Sequence, residues 1–415
     1  MGAILVDWAG LFVRWIHVMV GIAWIGTSFH FIWLDASLRR NAASPKGVAG
    51  ESWMVHGGGF YHAQKYLVAP ETLPKELHWF KYEAYFTWIS GFLLLAIVYY
   101  LNADAFLIDP GVLDLSPATA IAISVGSLVA GWLIYDAICR SPLGRNTVPL
   151  ALLVFLLAVA AAIGFTHVFS GRAAFVHVGA FLGTIMAANV FFIIIPNQKK
   201  VVASLLTGQS PDPTLGQTAK QRSLHNNYLT LPVVLMMISN HYPILYDNNY
   251  GWAFLIGIFA LSFLVRHYAN EETAGKPRRQ LYWLLGAAAV VGIVIVAANV
   301  ALLEAPEPGM QSASTGSTAG GGTAAPAGPP VTLAEVVPII QQRCLSCHSA
   351  TPSDANFKKP PKGITFDTPE QIDRMAPQIY RLAVRTRVMP LGNRTQMTMD
   401  ERATLGRWIE GRTAK

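Results

Sequence analysis

The sequence predicts an all-α protein: a bundle of eight transmembrane helices followed by a small helical domain on a flexible linker. Three observations support this. Of the 415 residues, 53% are hydrophobic and 13% are charged, whereas soluble domains carry about 25% charged residues. Apolar segments of about 20 residues, the length with which a helix crosses a bilayer, recur along the first 304 residues. The composition then changes abruptly to a low-complexity tract.

Composition also excludes several classes of protein. Three cysteines cannot hold a disulfide-stapled secreted module of this length together, and the apolar content excludes a disordered chain. The net charge of +7 comes with no nucleic-acid-binding motif. We therefore expect no nucleic-acid partner and attribute the basic residues to membrane topology.

The eight predicted spans share length and apolar character. They lie near residues 8–33, 83–101, 117–139, 148–170, 172–195, 226–246, 251–268 and 280–303. Lysine and arginine are concentrated in alternate loops: residues 34–82, 140–147, 196–225 and 266–279 hold 16 of them. The other loops hold only Arg172, and residues 102–116 carry three aspartates and no cation. Because basic loops stay in the cytoplasm, both termini are expected outside a bacterial inner membrane, in the periplasm, with lipid around the bundle.

Composition divides the chain into three parts. Residues 1–304 form the membrane domain, and residues 305–330 (APEPGMQSASTGSTAGGGTAAPAGPP) read as a flexible linker. Residues 331–415 form the C-terminal domain, with 13 basic and 8 acidic residues. Capping-box patterns at Thr332-x-x-Glu335 and Thr398-x-x-Glu401 predict two of its helices. Pro369, following Asp367-Thr368, predicts the start of a third.

The C-terminal domain contains Cys344-Leu-Ser-Cys347-His348, the C-x-x-C-H spacing of covalent c-type haem attachment. The two thiols would bind the haem vinyl groups, and His348 would be the proximal iron ligand. The domain is therefore interpreted as cytochrome c-type with one haem c. A zinc half-site or a redox dithiol is the alternative, but a second Cys/His pair is missing from this domain.

A c-type haem usually takes a second axial ligand, often methionine. Met389, in a Pro/Gly-containing loop 41 residues after His348, is the best candidate. The rivals are Met375, Met397 and Met399, of which the first is predicted within a helix and the other two near the start of one. A single haem of this type transfers one electron at a time, so the membrane domain is expected to be the electron donor.

Ionisable residues at membrane depth are costly and are therefore candidates for function. In the outer half, Arg14 and His17 lie three residues apart on one face of the first helix. Arg172, His177 and His241 belong to other spans at the same depth, roughly 5–14 Å below the surface at 1.5 Å per residue. They predict a shallow outward-facing pocket for a planar anion. Packing histidines and arginines that reach the headgroups are the alternative reading.

A competing site lies on the inner side. Polar residues there share the inner half of the bundle: His30, Asp35, Asp136, His225, Arg266 and His267. The inner loop adds the glycine run 57–59, which permits close approach of the backbone to another group. An inner site would need a carrier to move electrons across about 30 Å of hydrocarbon. A haem b between His17 and a histidine of another span is possible and is not required.

Three segments resemble the bacterial integral-membrane urate oxidases (urate hydroxylases). They are residues 15–26 (WIHVMVGIAWIG), 55–61 (VHGGGFY) and 78–88 (HWFKYEAYFTW). The resemblance covers essentially the whole chain. It implies an eight-helix membrane domain joined to a cytochrome c domain, with Cys344, Cys347, His348 and Met389 holding the haem. It also implies oxidation of urate to 5-hydroxyisourate in purine breakdown without hydrogen peroxide, electrons passing through the haem to a periplasmic acceptor of the respiratory chain.

The residues of the outer pocket supply a hypothetical mechanism. Arg14 and Arg172 hold the urate anion, and one of His17, His177 and His241 acts as a neutral base. Two other functions remain open at this stage. A quinol–cytochrome c electron-transfer module would turn over quinol and not urate, and a transporter with a redox-sensing cytochrome would show no steady reduction by an organic donor.

Overall fold

The computed structural model describes residues 2–70, 73–246, 250–304, 331–354, 357, 359–385 and 389–413. The predicted linker, residues 305–330, lies outside the described residues. The chain begins with α1 (Gly2–Ser37), a hairpin of β1 (Val48–His56) and β2 (Gly59–Tyr66), and α2 (Tyr82–Leu95). Next come α3 (Pro117–Arg140), α4 (Thr147–Thr166), α5 (Gly171–Ala188) and α6 (Ile195–Leu206). Then follow α7 (Pro213–Ser239), α8 (Gly251–Thr273) and α9 (Arg278–Glu304).

Three π-helical turns interrupt or extend these helices. Ala96–Tyr100 continues α2, and Ala103–Leu107 follows it directly. Asn189–Ile194 joins α5 to α6, so that residues 171–206 form one long helical stretch. Turns of this type are rare and occur frequently at functional sites, and all three border the polar clusters described below.

Seven helical stretches among the described residues are long and apolar enough to cross a membrane. They are Ile4–Ser37, Tyr82–Tyr100, Pro117–Arg140, Thr147–Thr166, Gly171–Leu206, Gly251–Thr273 and Arg278–Ala298. Large apolar side chains stay exposed on the outside of the bundle, for example Trp15 at 61% and Ile293 at 67%. Such a surface fits lipid rather than water. Seven of the eight predicted segments therefore have a counterpart among the described helices, which is consistent with a multi-pass membrane protein.

The eighth predicted segment, residues 226–246, overlaps the end of α7, which is too polar to meet the same criterion. Nevertheless α7 lies antiparallel along α5. The Asn226 side chain donates to the carbonyl of Met186 over 3.0 Å, and 14 residues later Asn240 accepts a bond from Arg172 over 2.8 Å. That separation corresponds to roughly 21 Å of helix. The helix α7 therefore runs beside a membrane-spanning helix over most of a bilayer core.

Small residues bring the neighbours of α5 close to it. The ring of Phe181 lies against Gly131 of α3, where an added Cβ would lie 2.0 Å from the ring. On the other side, an added Cβ at Gly179 would lie 2.8 Å from the Cβ of Met236 in α7. Close helix–helix approach through glycine is the usual packing of helices in lipid. As a result α5 is the central helix, and the elements that pack on it position the polar residues of the site.

The hairpin corrects the all-α prediction. Strands β1 and β2 pair antiparallel with His56 opposite Gly59, so Gly57 and Gly58 form a two-residue turn. Their φ values of +57° and +80° are those that such a turn requires. An added Cβ at either glycine would meet nothing within 4 Å. The glycine run thus serves the backbone of a turn, and among the described residues its nearest neighbour is the Tyr61 ring, 3.4 Å from a Cβ added at Gly59.

The C-terminal domain consists of α10 (Leu333–Arg343), α11 (Pro369–Arg374), α12 (Ala376–Ile379) and α13 (Met399–Thr413). The predicted helix starts are confirmed. Thr332 and Glu335 form a capping box, Thr368 caps the helix that Pro369 begins, and Thr398 and Glu401 bond each other reciprocally. These helices share a compact apolar core whose buried members include Val336, Ile340, Ile372, Leu405, Trp408 and Ile409.

Candidate functional site

One end of the bundle, which the loop charges predict to lie outside and which is called the outer end below, holds a polar cluster around Asn240. Its side-chain oxygen accepts two hydrogen bonds of 2.8 Å, one from the Nε of Arg172 and one from the hydroxyl of Tyr99. Tyr99 is 3% exposed, whereas Arg172 is half-buried. The guanidinium of Arg172 also lies 5.2 Å from the centre of the Phe106 ring, a cation–π contact. The cluster therefore orients one cation at the outer end of α5.

Arg14 approaches the same place from α1. It lines a cavity of 220 Å³ together with Phe106, Asn102, Ile97, Val98 and residues of α1. Arg14 is exposed and lines the same cavity as Phe106, and Arg172 lies over the Phe106 ring. One cation therefore lies over this aromatic ring, and a second lines the cavity beside it. Cations and an aromatic face are the groups that bind a planar anion.

The segment that carries Phe106 is fixed to α5. The hydroxyl of Ser170 donates to the carbonyl of Phe106 over 2.8 Å, and its backbone N–H donates to Leu107 over 3.0 Å. Ser170 also caps α5, accepting from the N–H of Ala173. Because Arg172 begins the same helix, the position of Phe106 relative to Arg172 is set by bonds made at a single residue.

His177 lies behind this cluster and is fully buried. Its Nδ1 donates to the carbonyl of Ala173 over 2.8 Å, so its Nε2 must accept from the hydroxyl of Ser124 at 2.7 Å. Ser124 in turn accepts from Tyr100 at 2.7 Å. Both ring nitrogens of His177 are therefore engaged in a directed chain of hydrogen bonds. This arrangement is that of a neutral packing histidine.

His17 is half-buried between α1 and α2. Its Nδ1 lies 3.0 Å from the carbonyl of Thr87 and 3.1 Å from the hydroxyl of Ser90. Since a carbonyl only accepts, Nδ1 carries the proton and Nε2 keeps a free lone pair. An added Cβ at Gly91 would lie 2.9 Å from the His17 ring, so a glycine is needed for this contact. His17 thus combines a fixed ring with an unprotonated nitrogen.

The structure brings the five predicted residues together unevenly. Arg14 lines a cavity with Phe106, Arg172 lies over the Phe106 ring, and the His177 ring lies 5.8 Å from the Tyr99 ring of the same cluster. His17 lies one turn further along α1 from Arg14, and His241 is exposed beside Asn240. Sequence reasoning missed Tyr99 and Phe106. Their signal was weak, since aromatic residues near span ends are usually interface residues.

The inner half contains a second, larger polar network. Arg222 of α7 is 1% exposed and pairs with Asp136 of α3 at 2.7 Å. Asn189, in the π-helical turn, donates to the hydroxyl of Tyr135 and to Asn226, each over 3.0 Å. Buried charge in a membrane protein is paired in this way because an unpaired charge is costly. The spacing of Arg222 and Asn226, four residues apart on one helix face, was a signal for this network.

The network continues from α7 to α8. The Tyr135 hydroxyl lies 2.7 Å from the Nδ1 of His225, and Asn227 receives a bond from Arg266 and donates to Asn270 over 3.0 Å. Arg266 lies with its guanidinium 3.8 Å from the centre of the Phe29 ring. The inner residues predicted from the sequence are joined to other residues and not to one another: Asp136 pairs with Arg222, His225 with Tyr135 and Arg266 with Asn227. Together with these partners they form the network. They tie α3, α5, α7 and α8 together.

The four predicted haem-binding residues lie in one domain and against one core. Cys344 and Met389 pack on the C-terminal apolar core, and the His348 ring lies 5.1 Å from the Phe366 ring of that core. The Nδ1 of His348 lies 3.1 Å from the carbonyl of Ile364. This bond places the proton on Nδ1 and leaves Nε2 available for a metal, the usual arrangement of a ligating histidine. Burial lowers the pKa of His348 and so favours the neutral ring. The hydrogen bond to Ile364 acts in the opposite direction and has the smaller effect.

The two cysteines are both half-buried and do not form a disulfide. Burial raises the pKa of Cys344 to about 12 and also raises the pKa of Cys347. Both sulfurs are therefore thiols at neutral pH, without the thiolate character on which a reactive dithiol depends. The donor set fits covalent haem attachment with histidine ligation.

The buried side chain of Arg402, which is 5% exposed, holds the Met389 loop in place. Arg402 donates to the carbonyl of Met389 over 2.8 Å and to the side-chain oxygen of Asn393 over 3.2 Å. Of the rival methionines, Met397 is buried in the core at 3% exposure and Met399 is 47% exposed. Met375 packs against the same core. The half-buried position of Met389, on a fixed loop, suits an axial ligand best.

The fold defines the class first: a helical protein with seven described stretches that are long and apolar enough to cross a membrane. The model of the family described as "Urate oxidase N-terminal" matches residues 3–299, well over half of the chain. The chain belongs to that family. No curated protein and no solved structure matches it. The family match stops before the C-terminal domain, whose assignment rests on its own residues.

Proposed function

We propose that the chain oxidises urate to 5-hydroxyisourate at the outer pocket and passes the electrons to a haem c in its C-terminal domain. Membership of the urate oxidase N-terminal family supports the substrate. The observation that carries the site is the position of Phe106, which lines one cavity with Arg14 and lies under the guanidinium of Arg172. Urate is a planar monoanion at neutral pH, and this arrangement offers it two cations and an aromatic face.

Each residue has a distinct part in binding and proton transfer. Arg172, oriented by Asn240, and Arg14 hold the anion through charge-assisted hydrogen bonds. Phe106 provides the face against which the purine ring stacks. We assign the base to His17, because its Nε2 is unprotonated while both nitrogens of His177 are engaged. His241 stays at the surface as a rival base.

The reaction balances without oxygen. Urate and one water give 5-hydroxyisourate, two protons and two electrons, with the water oxygen forming the new bond at C5. His17 takes one proton, and solvent takes the other. The two electrons leave singly and finally reach a one-electron acceptor of the respiratory chain outside this protein. Hydrogen peroxide is therefore not a product.

The C-terminal domain would hold the group that accepts these electrons. Cys344 and Cys347 would hold a haem c through thioether bonds, with His348 and Met389 as the residues that bind its iron. When bound, haem c supplies one-electron redox chemistry, with a methionine ligand that raises its potential. Such an attachment is made outside the cytoplasmic membrane, in agreement with the periplasmic position that the loop charges predict for this domain. Haem b is not required by this proposal.

The proposal includes eight spans with both termini in the periplasm of a bacterial inner membrane. Its support is the antiparallel position of α7 along α5, from Asn226 to Asn240. The buried pairing of Arg222 with Asp136 satisfies the polar face of α7. With α7 counted as a span, the basic loops all lie on one side.

The test is anaerobic addition of urate to the oxidised, purified full-length protein while the haem absorption bands are followed. Reduction at a catalytically useful rate is expected, and Arg172→Ala serves as the control with intact haem. Absence of reduction in a fully haem-loaded sample would overturn the proposal. Reduction by a quinol and not by urate would instead establish the quinol–cytochrome c function.

A further inference from the structure

The C-terminal domain touches the membrane domain through the loop that follows Met389. Gly392, in the turn Leu391–Asn393, packs against the segment Ala103–Leu107. A Cβ added at Gly392 would lie 3.1 Å from the carbonyl oxygen of Ala105 and 3.2 Å from that of Ile108. Gly392 also has a φ of +57°. A glycine here thus allows two backbones to approach closely.

Both sides of this contact are held in place by bonds within their own domains. On the membrane side, Ser170 bonds the carbonyls of Phe106 and Leu107. On the other side, Arg402 bonds Met389, which precedes the turn, and Asn393, which is its last residue. The contact therefore joins two defined surfaces, one next to the outer pocket and the other next to the proposed axial ligand.

The charges of the two partners are complementary. The outer loop, residues 102–116, contains Asp104, Asp109 and Asp114 and no cation. The C-terminal domain carries 13 basic and 8 acidic residues, a net charge of +5. Asp104 and Asp114 are exposed and free to act on an approaching basic domain. Charge complementarity of this type steers association and sets its orientation.

We infer that segment 103–108 is the electron-exit surface of the membrane domain and that the 391–393 turn is its docking partner. This inference rests on the proposed function for the direction of electron flow. Phe106 belongs to the docked segment and also borders the pocket, so docking brings the Met389 loop to the side of the substrate. Each docked encounter takes one electron from the substrate, and two encounters complete the oxidation.

Gly392→Asn tests the contact in the full-length protein. Asparagine tolerates positive φ, so the variant adds a Cβ against the carbonyls of Ala105 and Ile108 while the turn keeps its conformation. Gly363→Asn is the matched control, because Gly363 has a φ of +69° in the same domain and an added Cβ there meets nothing within 4 Å. The exchange rates of the backbone amides of residues 103–108, followed by hydrogen–deuterium exchange, measure docking. This measurement does not need urate.

We expect the amides of 103–108 to exchange at least about threefold faster in Gly392→Asn than in wild type or in Gly363→Asn. Urate-driven haem reduction should slow about tenfold, with reduction by ascorbate and the haem spectrum unchanged. Equal exchange and equal reduction rates in all three proteins would overturn the inference. If urate fails to reduce the haem of the wild type, the proposed function fails, and the exchange measurement still decides the docking surface.

Asp104→Asn tests the same surface from the membrane side, because it changes no residue of the C-terminal domain. We expect urate-driven reduction to slow about threefold at low salt and the difference from wild type to vanish at high salt, where exposed charges are screened. Glu76→Gln removes an exposed acid from a different loop and is the matched control. An Asp104→Asn variant with wild-type rates at every salt concentration would contradict steering by this loop.

Discussion

The Nε of Arg172 donates to the side-chain oxygen of Asn240 over 2.8 Å, joining the start of α5 to the end of α7. Tyr99 donates to the same oxygen, so the amide serves as a shared acceptor. A guanidinium bound on one edge keeps its other N–H groups free for a ligand. This arrangement makes Arg172 the residue whose loss should affect urate binding most directly.

We expect Arg172→Ala to lower kcat/KM for urate-driven haem reduction by about 30- to 100-fold, the loss of a hydrogen bond to a charged group. Arg172→Lys should recover part of this, because lysine keeps the charge and loses the planar fork. Arg145→Ala removes an exposed cation from the basic loop 140–147 and is the control. Equal kcat/KM values for Arg172→Ala and Arg145→Ala would place urate elsewhere.

His17→Gln tests the proposed base. Loss of a general base typically costs 10²- to 10⁴-fold in rate, so we expect kcat to fall within about that range while KM changes little. The acid limb of the pH–rate profile, which protonation of the base produces, should disappear in this variant. His167→Gln, which alters an exposed histidine at the end of α4, should keep the wild-type profile. A wild-type kcat in His17→Gln would transfer the role to His241.

Ser124→Ala should affect stability and leave the chemistry intact. It leaves Nε2 of buried His177 without a donor, which costs about 1–3 kcal/mol. We expect a lower midpoint of thermal unfolding and an unchanged kcat/KM for the folded protein. Ser127→Ala, whose hydroxyl bonds only the carbonyl of Ser124 in the preceding turn, is the matched variant. A large fall in kcat/KM with normal stability would instead give His177 a direct role.

Met389→Ala should retain the covalent haem and lower its reduction potential by on the order of 100 mV, within the range that axial ligands set. The measurement is a potentiometric titration of the full-length protein followed by absorbance. Met399→Ala removes an exposed methionine of the same domain and should keep the wild-type potential. If Met399→Ala lowers the potential and Met389→Ala does not, the ligand assignment is wrong.

The pair Arg343–Glu401 predicts the acid stability of the C-terminal domain. Burial tends to raise the pKa of Glu401, but hydrogen bonds from Arg343 and Thr398 and the charge of Arg343 lower it below its ordinary value of 4.5. The stabilisation is therefore complete above pH 4.5 and is lost as the pH falls through the lower folded-state pKa.

Thermal unfolding of full-length wild type and Glu401→Gln, followed by haem absorbance, checks this dependence. The wild type should be the more stable protein at pH 7, and its advantage should disappear in strongly acidic solution. Glu370→Gln, at an exposed helix start without an arginine partner of this kind, is the control. A constant difference between wild type and Glu401→Gln at all pH values would contradict the assignment.

Sequence reasoning located the helices well, because long apolar runs and capping boxes are local signals. The starts of α10 and α13 followed from the capping-box patterns at Thr332 and Thr398. The start of α11 followed from Pro369 after Thr368. The hairpin was missed because its glycine turn resembles a ligand-binding glycine run, and only the strand register distinguishes them. A short alternating segment inside a predicted loop is a weak signal compared with a membrane span.

The site was predictable in part for the same reason. Polar residues at membrane depth identified Arg14, Arg172 and the inner network members Asp136 and His225. The partners Tyr99, Phe106 and Asn189 depend on contacts between helices that are far apart in the chain. The pairing of Gly392 with Ala105 spans nearly 300 residues, and no local pattern encodes such a contact.

The polar face of α7 has a consequence for how the protein is made. If α7 is a span, as proposed, Arg222 and Asn226 would each face lipid when α7 entered the bilayer alone, at a cost of a few kcal/mol for the arginine. Their partners Asp136 and Asn189 lie in segments that leave the ribosome earlier. Insertion of α7 by the translocon therefore depends on α3 and α5 already being present, so biogenesis of this bundle must follow a fixed order.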